Sequence, residues 1–177
     1  MLHGDKARFA VEWRLGSGHV YPFMYGNVCY WNCGEMVGDY DLGATLSDVL
    51  IALKYPIGDC GKRSSERFYA MTGHDAYSML RAGLVVGDPN LGEFVEAESW
   101  ARFDISLPVD VFDHWRMYLI DCKNRSRLLV GHLSAQHRDY VFAFECILSL
   151  GEFDNVIIEF ATALEVAERD LAQSSGW

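Results

Sequence analysis

Residues 8–15 read RFAVEWRL, and their alternation decides the fold class. Phe9, Val11, Trp13 and Leu15 fall on one face of an extended chain, and Arg8, Glu12 and Arg14 on the other. That period of two marks a half-buried strand. After the bend GSGHVYP at 16–22, YGNVCYW at 25–31 predicts a second strand. EMVGDY at 35–40 predicts a third, across a turn at Asn32, Cys33 and Gly34 in which Gly34 is free to take positive φ. The simplest reading is an opening antiparallel meander.

The same pattern returns later. RFYAM at 67–71 and WARFDISL at 100–107 read as strands. WRMYLID at 115–121 and SRLLVGHL at 126–133 read as a hairpin across CKNR. YVFAFECIL at 140–148 is apolar on both faces from 141 to 144, which predicts a central strand. Between the strands, Thr45 is placed to cap a short helix over 46–54 that Pro56 and Gly58 end. Thr72 is placed to cap a second near 74–83, closed by Gly83. The chain finishes in a long helix. Ser149 and Glu152 have capping-box spacing, and Phe153, Val156, Ile157, Phe160, Leu164, Ala167 and Leu171 form its apolar stripe. Residues 172–177, AQSSGW, read as a flexible tail. The expected class is α+β: a mainly antiparallel β-sheet with the long C-terminal helix and two short helices packed on one face.

At 177 residues and 20.0 kDa, the expectation is one domain over 1–177. MLHGDKARF carries charges where a signal peptide needs an apolar run, and no apolar stretch reaches membrane-spanning length. The expected compartment is the cytoplasm. Five cysteines, at 29, 33, 60, 122 and 146, make a poor disulfide framework, so reduced and mostly buried thiols are expected. A net charge of −10 argues against nucleic acid and anionic membranes as partners, and is compatible with a basic protein. The imbalance concentrates at 88–113, where seven carboxylates stand against Arg102, a net −6. GDPNLGEFVEAE at 87–98 reads as an exposed acidic loop.

No constellation announces chemistry. Cys60, in YPIGDCGKR at 55–63, has Lys62 and Arg63 beside it and His74 or His114 as conceivable bases. Gly58 and Gly61 read more simply as a sharp turn. Cys29 and Cys33 lack a second pair at zinc spacing, and the six histidines are scattered. GSG at 16–18 leads into HVYP rather than a helix, so it is no phosphate loop. The paired acids Asp39/Asp41 and Asp110/Asp113 are the best candidates for acid–base or metal work, although solvated or turn-capping carboxylates are the simpler reading. No catalytic residue, metal or cofactor is expected. The alternatives are a small cytosolic hydrolase using Cys60 or the Asp110/Asp113 loop, and an adaptor module that binds another protein.

Taken in order, RFAVEWRL, YGNVCYWNCGEMVGDYDLG, TLSDVLIALKY, GDCGKR and ARFDISLPVDVFDHWRMYLID resemble the family called immunity protein forty-two, found beside bacterial polymorphic toxins. The resemblance runs over about 8–165 and rests on overall texture rather than a catalytic motif. It implies a protein that serves bacterial competition by binding a cognate toxin domain and blocking it, without a cofactor. A basic toxin would meet an acidic inhibitor quickly. The expected contact surface is Glu93, Glu96, Glu98, Asp104, Asp110 and Asp113 with Trp100 or Phe112 as anchors, and secondly Asp39, Tyr40 and Asp41. Large apolar groups are usually inside, so a core role for Trp100 and Phe112 stands beside that expectation.

Overall fold

The computed structural model describes residues 1–17, 21–86, 100–136 and 138–174. The chain divides into two compact units, Met1–Gly58 with Leu107–Asp113 and Glu152–Trp177, and Asp59–Ser106 with His114–Gly151. Among the described residues the strands form two antiparallel sheets, one in each unit, so the α+β class holds while the single expected sheet becomes two.

In the first unit β1 (Leu2–Gly4), β2 (Phe9–Leu15), β3 (Tyr25–Asn32) and β4 (Glu35–Val37) pair in chain order. A two-residue β5 (Ala44–Thr45) adds to β3 opposite Tyr25 and Gly26. β1 and β5 are too short to show an alternation and were not expected. The turn at 33–34 is as anticipated: Cys33 and Gly34 both take positive φ between the paired Asn32 and Glu35. The long helix, here α5, runs Glu152–Ser174, so residues 172–174 are helical rather than a tail. It lays its apolar stripe on β2. Phe153 meets Phe9 at 4.8 Å between ring centroids, and Phe160 meets Trp13 at 5.9 Å. Burial of each such side chain contributes about 1.5–3 kcal/mol. α1 (Leu46–Ala52) begins after Thr45, whose backbone is extended as an N-cap requires but whose side chain makes no cap bond. Pro56 does not end the helical path. It sits in the first turn of α2 (Lys54–Gly58), where its missing N–H costs no helical bond.

In the second unit β6 (Trp115–Cys122) and β7 (Arg125–Ser134) form the expected hairpin, and β8 (Asp139–Ser149) pairs with β7. β7 is therefore central and β8 an edge, with Val141 and Ile147 left exposed. Apolar residues on both faces do not distinguish an edge from a centre, which depends on the strands lying alongside.

Residues 67–71 are not a strand. They belong to α3 (Glu66–Ala70), where the Ser65 hydroxyl accepts from the Phe68 amide and the cap overrides the β-prone residues. α4 (Gly73–Arg81) follows, capped by Thr72 as expected, and Gly83 continues it into a π-helical stretch at Ala82–Val86. Residues 100–107 also depart from a strand. Trp100 is helical, and Asp104 makes only an isolated bridge with Tyr118. Phe68, Tyr77, Leu80, Trp100, Phe103 and Tyr118 fill the core of this unit. Among the described residues no helix is long and apolar enough to cross a membrane.

Candidate functional site

Gly38 brings two acidic stretches of the first unit together. With φ at 104°, it rests on Phe112, whose ring a Cβ there would meet at 2.8 Å. Its neighbour Asp39 donates its backbone N–H to the Val111 carbonyl at 2.8 Å, and the Asp39 carboxylate accepts from the Leu42 amide. The Asn27 side chain holds the Tyr40 carbonyl at 2.8 Å, and burial pushes the Tyr40 phenol pKa upward. A short 3-10 turn, Asp110–Phe112, buries Val111 and Phe112 and leaves Asp110 and Asp113 exposed. Asp39, Asp41, Asp110 and Asp113, about seventy residues apart in sequence, are thus set on segments joined by backbone hydrogen bonding.

Beside them lies a groove of about 510 Å³, floored by Gly26 and the β5 edge and walled by Tyr25, Leu42, Asp48 and Pro108–Asp110. Gly26 is obligatory here, because a Cβ would stand 2.2 Å from the Arg14 carbonyl oxygen. Tyr25 is 46% exposed and Leu42 60% exposed. Asp41, Asp48 and Asp110 are exposed and, among the described residues, form no ion pair. Ile51 and Tyr55 follow Asp48 at three- and seven-residue steps and are also exposed, Tyr55 at 73%. The site therefore offers uncompensated carboxylates interleaved with accessible apolar and aromatic groups.

The two expected anchors are core residues. Trp100 packs edge-on against Phe68 at 5.0 Å in the second unit, and Phe112 lies 4.7 Å from Tyr30 in the first. Both rings are at most 5% exposed, so their apolar surface is already spent inside. Asp104 belongs to the second unit, where Arg116 neutralises it at 3.2 Å and the Ser106 amide donates to it at 2.9 Å. Glu93, Glu96 and Glu98, with the rest of the 87–98 stretch, lie outside the described residues. Tyr25, Leu42, Asp48 and Tyr55 carry no local sequence signal that marks them as surface groups of one site. Tyr25 lies on β3 opposite Thr45 of the short β5, a pairing no local pattern records, and both residues line the groove.

The residues considered for catalysis are engaged otherwise. Cys60 stands in the turn after α2, with Gly61 at φ 74°. Lys62 pairs with Asp59 at 3.7 Å, and Arg63 is fully buried, donating to the Arg102 carbonyl. His74 contacts Asp75 and Phe142, and His114 lies tilted beside His132 at 6.4 Å between ring centroids. Cys29, Cys60 and Cys122 are free thiols, whereas Cys33 and Cys146 are disulfide-bonded, which corrects the expectation of five reduced cysteines. Among the described residues no group of three His, Cys, Asp or Glu side chains stands close enough to hold a metal ion.

The family model for immunity protein 42 matches residues 1–163. The chain belongs to the immunity protein 42 family. Membership supports a toxin-neutralising immunity role. The solved structure of CdiI from Burkholderia dolosa AUO158 superposes with a TM-score of 0.71 at 18% identity, covering 92% of this chain and 99% of that one. At that identity the likeness is one of fold. No curated protein matches the chain.

Proposed function

We propose that this protein binds a cognate toxin domain in the cytoplasm and neutralises it without performing chemistry itself, presenting the acidic groove of its first unit to a basic face of the toxin. One observation carries the reading: Asp48 and Asp110 line the groove beside exposed Tyr25 and Leu42, with exposed Asp41 next to Leu42 in the chain, and none of the three acids is ion-paired among the described residues. Clustered like charge is retained on a surface at a cost to the fold, and it accelerates encounter with an oppositely charged partner. Tight binding also needs anchors that exclude water, and the exposed aromatic and aliphatic groups beside the acids supply them. Family membership supports the partner class, and the charge distribution supports the face. A toxin domain that acts on nucleic acid would be basic, and the carboxylates would then stand in for its polyanionic substrate.

The test is a combined Asp41→Asn, Asp48→Asn and Asp110→Asn variant, titrated against the toxin domain encoded beside the protein at several salt concentrations. Affinity should fall about ten- to a hundredfold at low salt, with the gap narrowing as salt screens the wild type. Unchanged affinity with a flat salt response removes the groove as the docking face. A toxin that binds no form of the protein removes the immunity reading itself.

A further inference from the structure

The walls of the groove in the first unit are fixed by hydrogen bonds, none of them made by the Asp48 or Asp110 carboxylate. The Leu46 amide donates to the Met24 carbonyl at 2.6 Å, and the Met24 amide donates to the Ser47 hydroxyl at 3.1 Å. That hydroxyl donates in turn to the Pro22 carbonyl at 3.0 Å, which holds the start of β3 against α1. On the loop side, the Leu42 amide donates to the Asp39 carboxylate at 3.2 Å. The Phe112 and Asp113 amides donate to the Val109 and Asp110 carbonyls at 2.8 and 3.1 Å. An incoming group therefore meets walls already in place, and their ordering costs the complex little.

What the groove offers is acceptors. Asp48 and Asp110 line it, are exposed, and form no ion pair among the described residues. Thr45 lines it too, and its hydroxyl makes no cap bond to α1. Ionised carboxylates can only accept, and a hydroxyl can accept as well, so the matching ligand is a donor. Exposed Tyr25, Leu42 and Pro108 supply apolar surface along which an aliphatic stem can lie. A cation on such a stem is a lysine or an arginine side chain. The groove favours arginine. Its planar fork meets carboxylates with two bonds at a time, it sheds water more readily than an ammonium, and it stacks on an aromatic face such as that of Tyr25. Calcium is a poorer match, because it takes about six to eight oxygen ligands and the groove has two carboxylates.

We propose that the groove is the subsite for one arginine side chain of the toxin, with its stem along Leu42 and Pro108 and its guanidinium on Tyr25, Asp48 and Asp110. The inference rests on the docking reading above and names the group that docks.

The test titrates the full chain, without toxin, with N-acetylarginine amide at constant ionic strength and follows amide chemical shifts. The lysine amide and the uncharged citrulline amide serve as controls. Saturable shifts confined to residues 24–26, 42–48 and 108–110 are expected, at least about threefold weaker with lysine and absent with citrulline. Asp48→Asn and Asp110→Asn should each weaken arginine binding at least about threefold. No saturable response, equal affinity for the lysine or citrulline amide, or equal affinity in wild type and both variants overturns the inference. In the complex, replacing one toxin arginine by lysine should lower affinity for the wild type and have no further effect on Asp48→Asn/Asp110→Asn. Additive losses for every toxin arginine overturn the inference as well. If the triple Asn variant loses toxin affinity while the arginine experiments fail, the groove docks the toxin through another group and only this inference falls. If the triple variant loses nothing, the docking reading falls and takes the inference with it.

Discussion

The two units use their carboxylates in opposite ways. The first carries fourteen Asp and Glu against five Lys and Arg, a net −9, and the second eleven against ten, a net −1. Four of the second unit's acids, Asp88, Glu93, Glu96 and Glu98, lie outside the described residues. Among the rest, Asp139 is paired with Arg81, Asp104 with Arg116 and Glu145 with Arg127. Arg127 also donates to the Tyr69 and Met71 carbonyls and so ties the end of α3 to the sheet. Charge there is architecture. The first unit has such pairs as well, Glu12 with Lys6 and Glu152 with Arg8, but Asp41, Asp48 and Asp110 have none. That contrast is what the proposed docking face rests on.

The interiors should behave alike, and that is the largest effect to measure. Phe160→Ala in the first unit and Phe103→Ala in the second each remove a fully buried ring, so each should cost about 3–5 kcal/mol by urea denaturation. A loss under about 1 kcal/mol in either would mean that the unit concerned is not close-packed as described. Cys29 sharpens the point for the first unit. Burial pushes its thiol up to about 11, whereas an unfolded thiol titrates near ~8.5. A group held protonated in the fold contributes fully below its unfolded pKa, and that contribution drains away as pH rises toward 11. Wild-type stability should therefore fall by about 2 kcal/mol more than that of Cys29→Ala between pH 8 and 11. Parallel curves would show that the thiol is not sealed in β3.

Next in size is the charge contrast itself. The groove variant already described should keep its stability within about 0.5 kcal/mol, because exposed carboxylates off any pair contribute little to folding. Neutralising three carboxylates of the second unit, Asp59, Glu66 and Asp75, should change toxin affinity less than about threefold. Equal losses from the two sets would mean that the partner responds to total charge and not to a face.

How much of this could be read in advance depends on range. The alternation of RFAVEWRL, the 115–133 hairpin and the apolar stripe of α5 are local periodicities, and all three appear as expected. RFYAM failed because one hydroxyl, Ser65, decides between two conformations that its residues tolerate about equally. YVFAFECIL failed because edge and centre differ only in what lies alongside, which no local pattern records. The geometry of the candidate site was legible in part. Asp39, Asp41, Asp110 and Asp113 stood out by type, but their meeting depends on Gly38 packing against Phe112 across about seventy residues. Trp100 and Phe112 stand among the acids in sequence, but a large aromatic ring is a better sign of a core than of an anchor.

The smallest effect tests the exception within the first unit. Glu12 lies on β2, and its Oε2 accepts from the Lys6 ammonium at 2.5 Å and from the Trp31 indole N–H at 2.9 Å. The Lys6 hydrogen bond holds the carboxyl below the usual carboxylate range, with burial opposing and Trp31 assisting. Its contribution is therefore present above about pH 4.5 and is lost as pH falls through the folded pKa. The side chain is about a third exposed, so solvent screening keeps the effect under about 1 kcal/mol. Glu12→Gln should flatten the acid limb of the stability curve between about pH 5 and 3 while leaving toxin affinity at neutral pH unchanged. A drop in affinity instead would extend the proposed docking face beyond the groove to β2. An unaltered acid limb would show that Lys6 and Trp31 do not hold the carboxylate in solution.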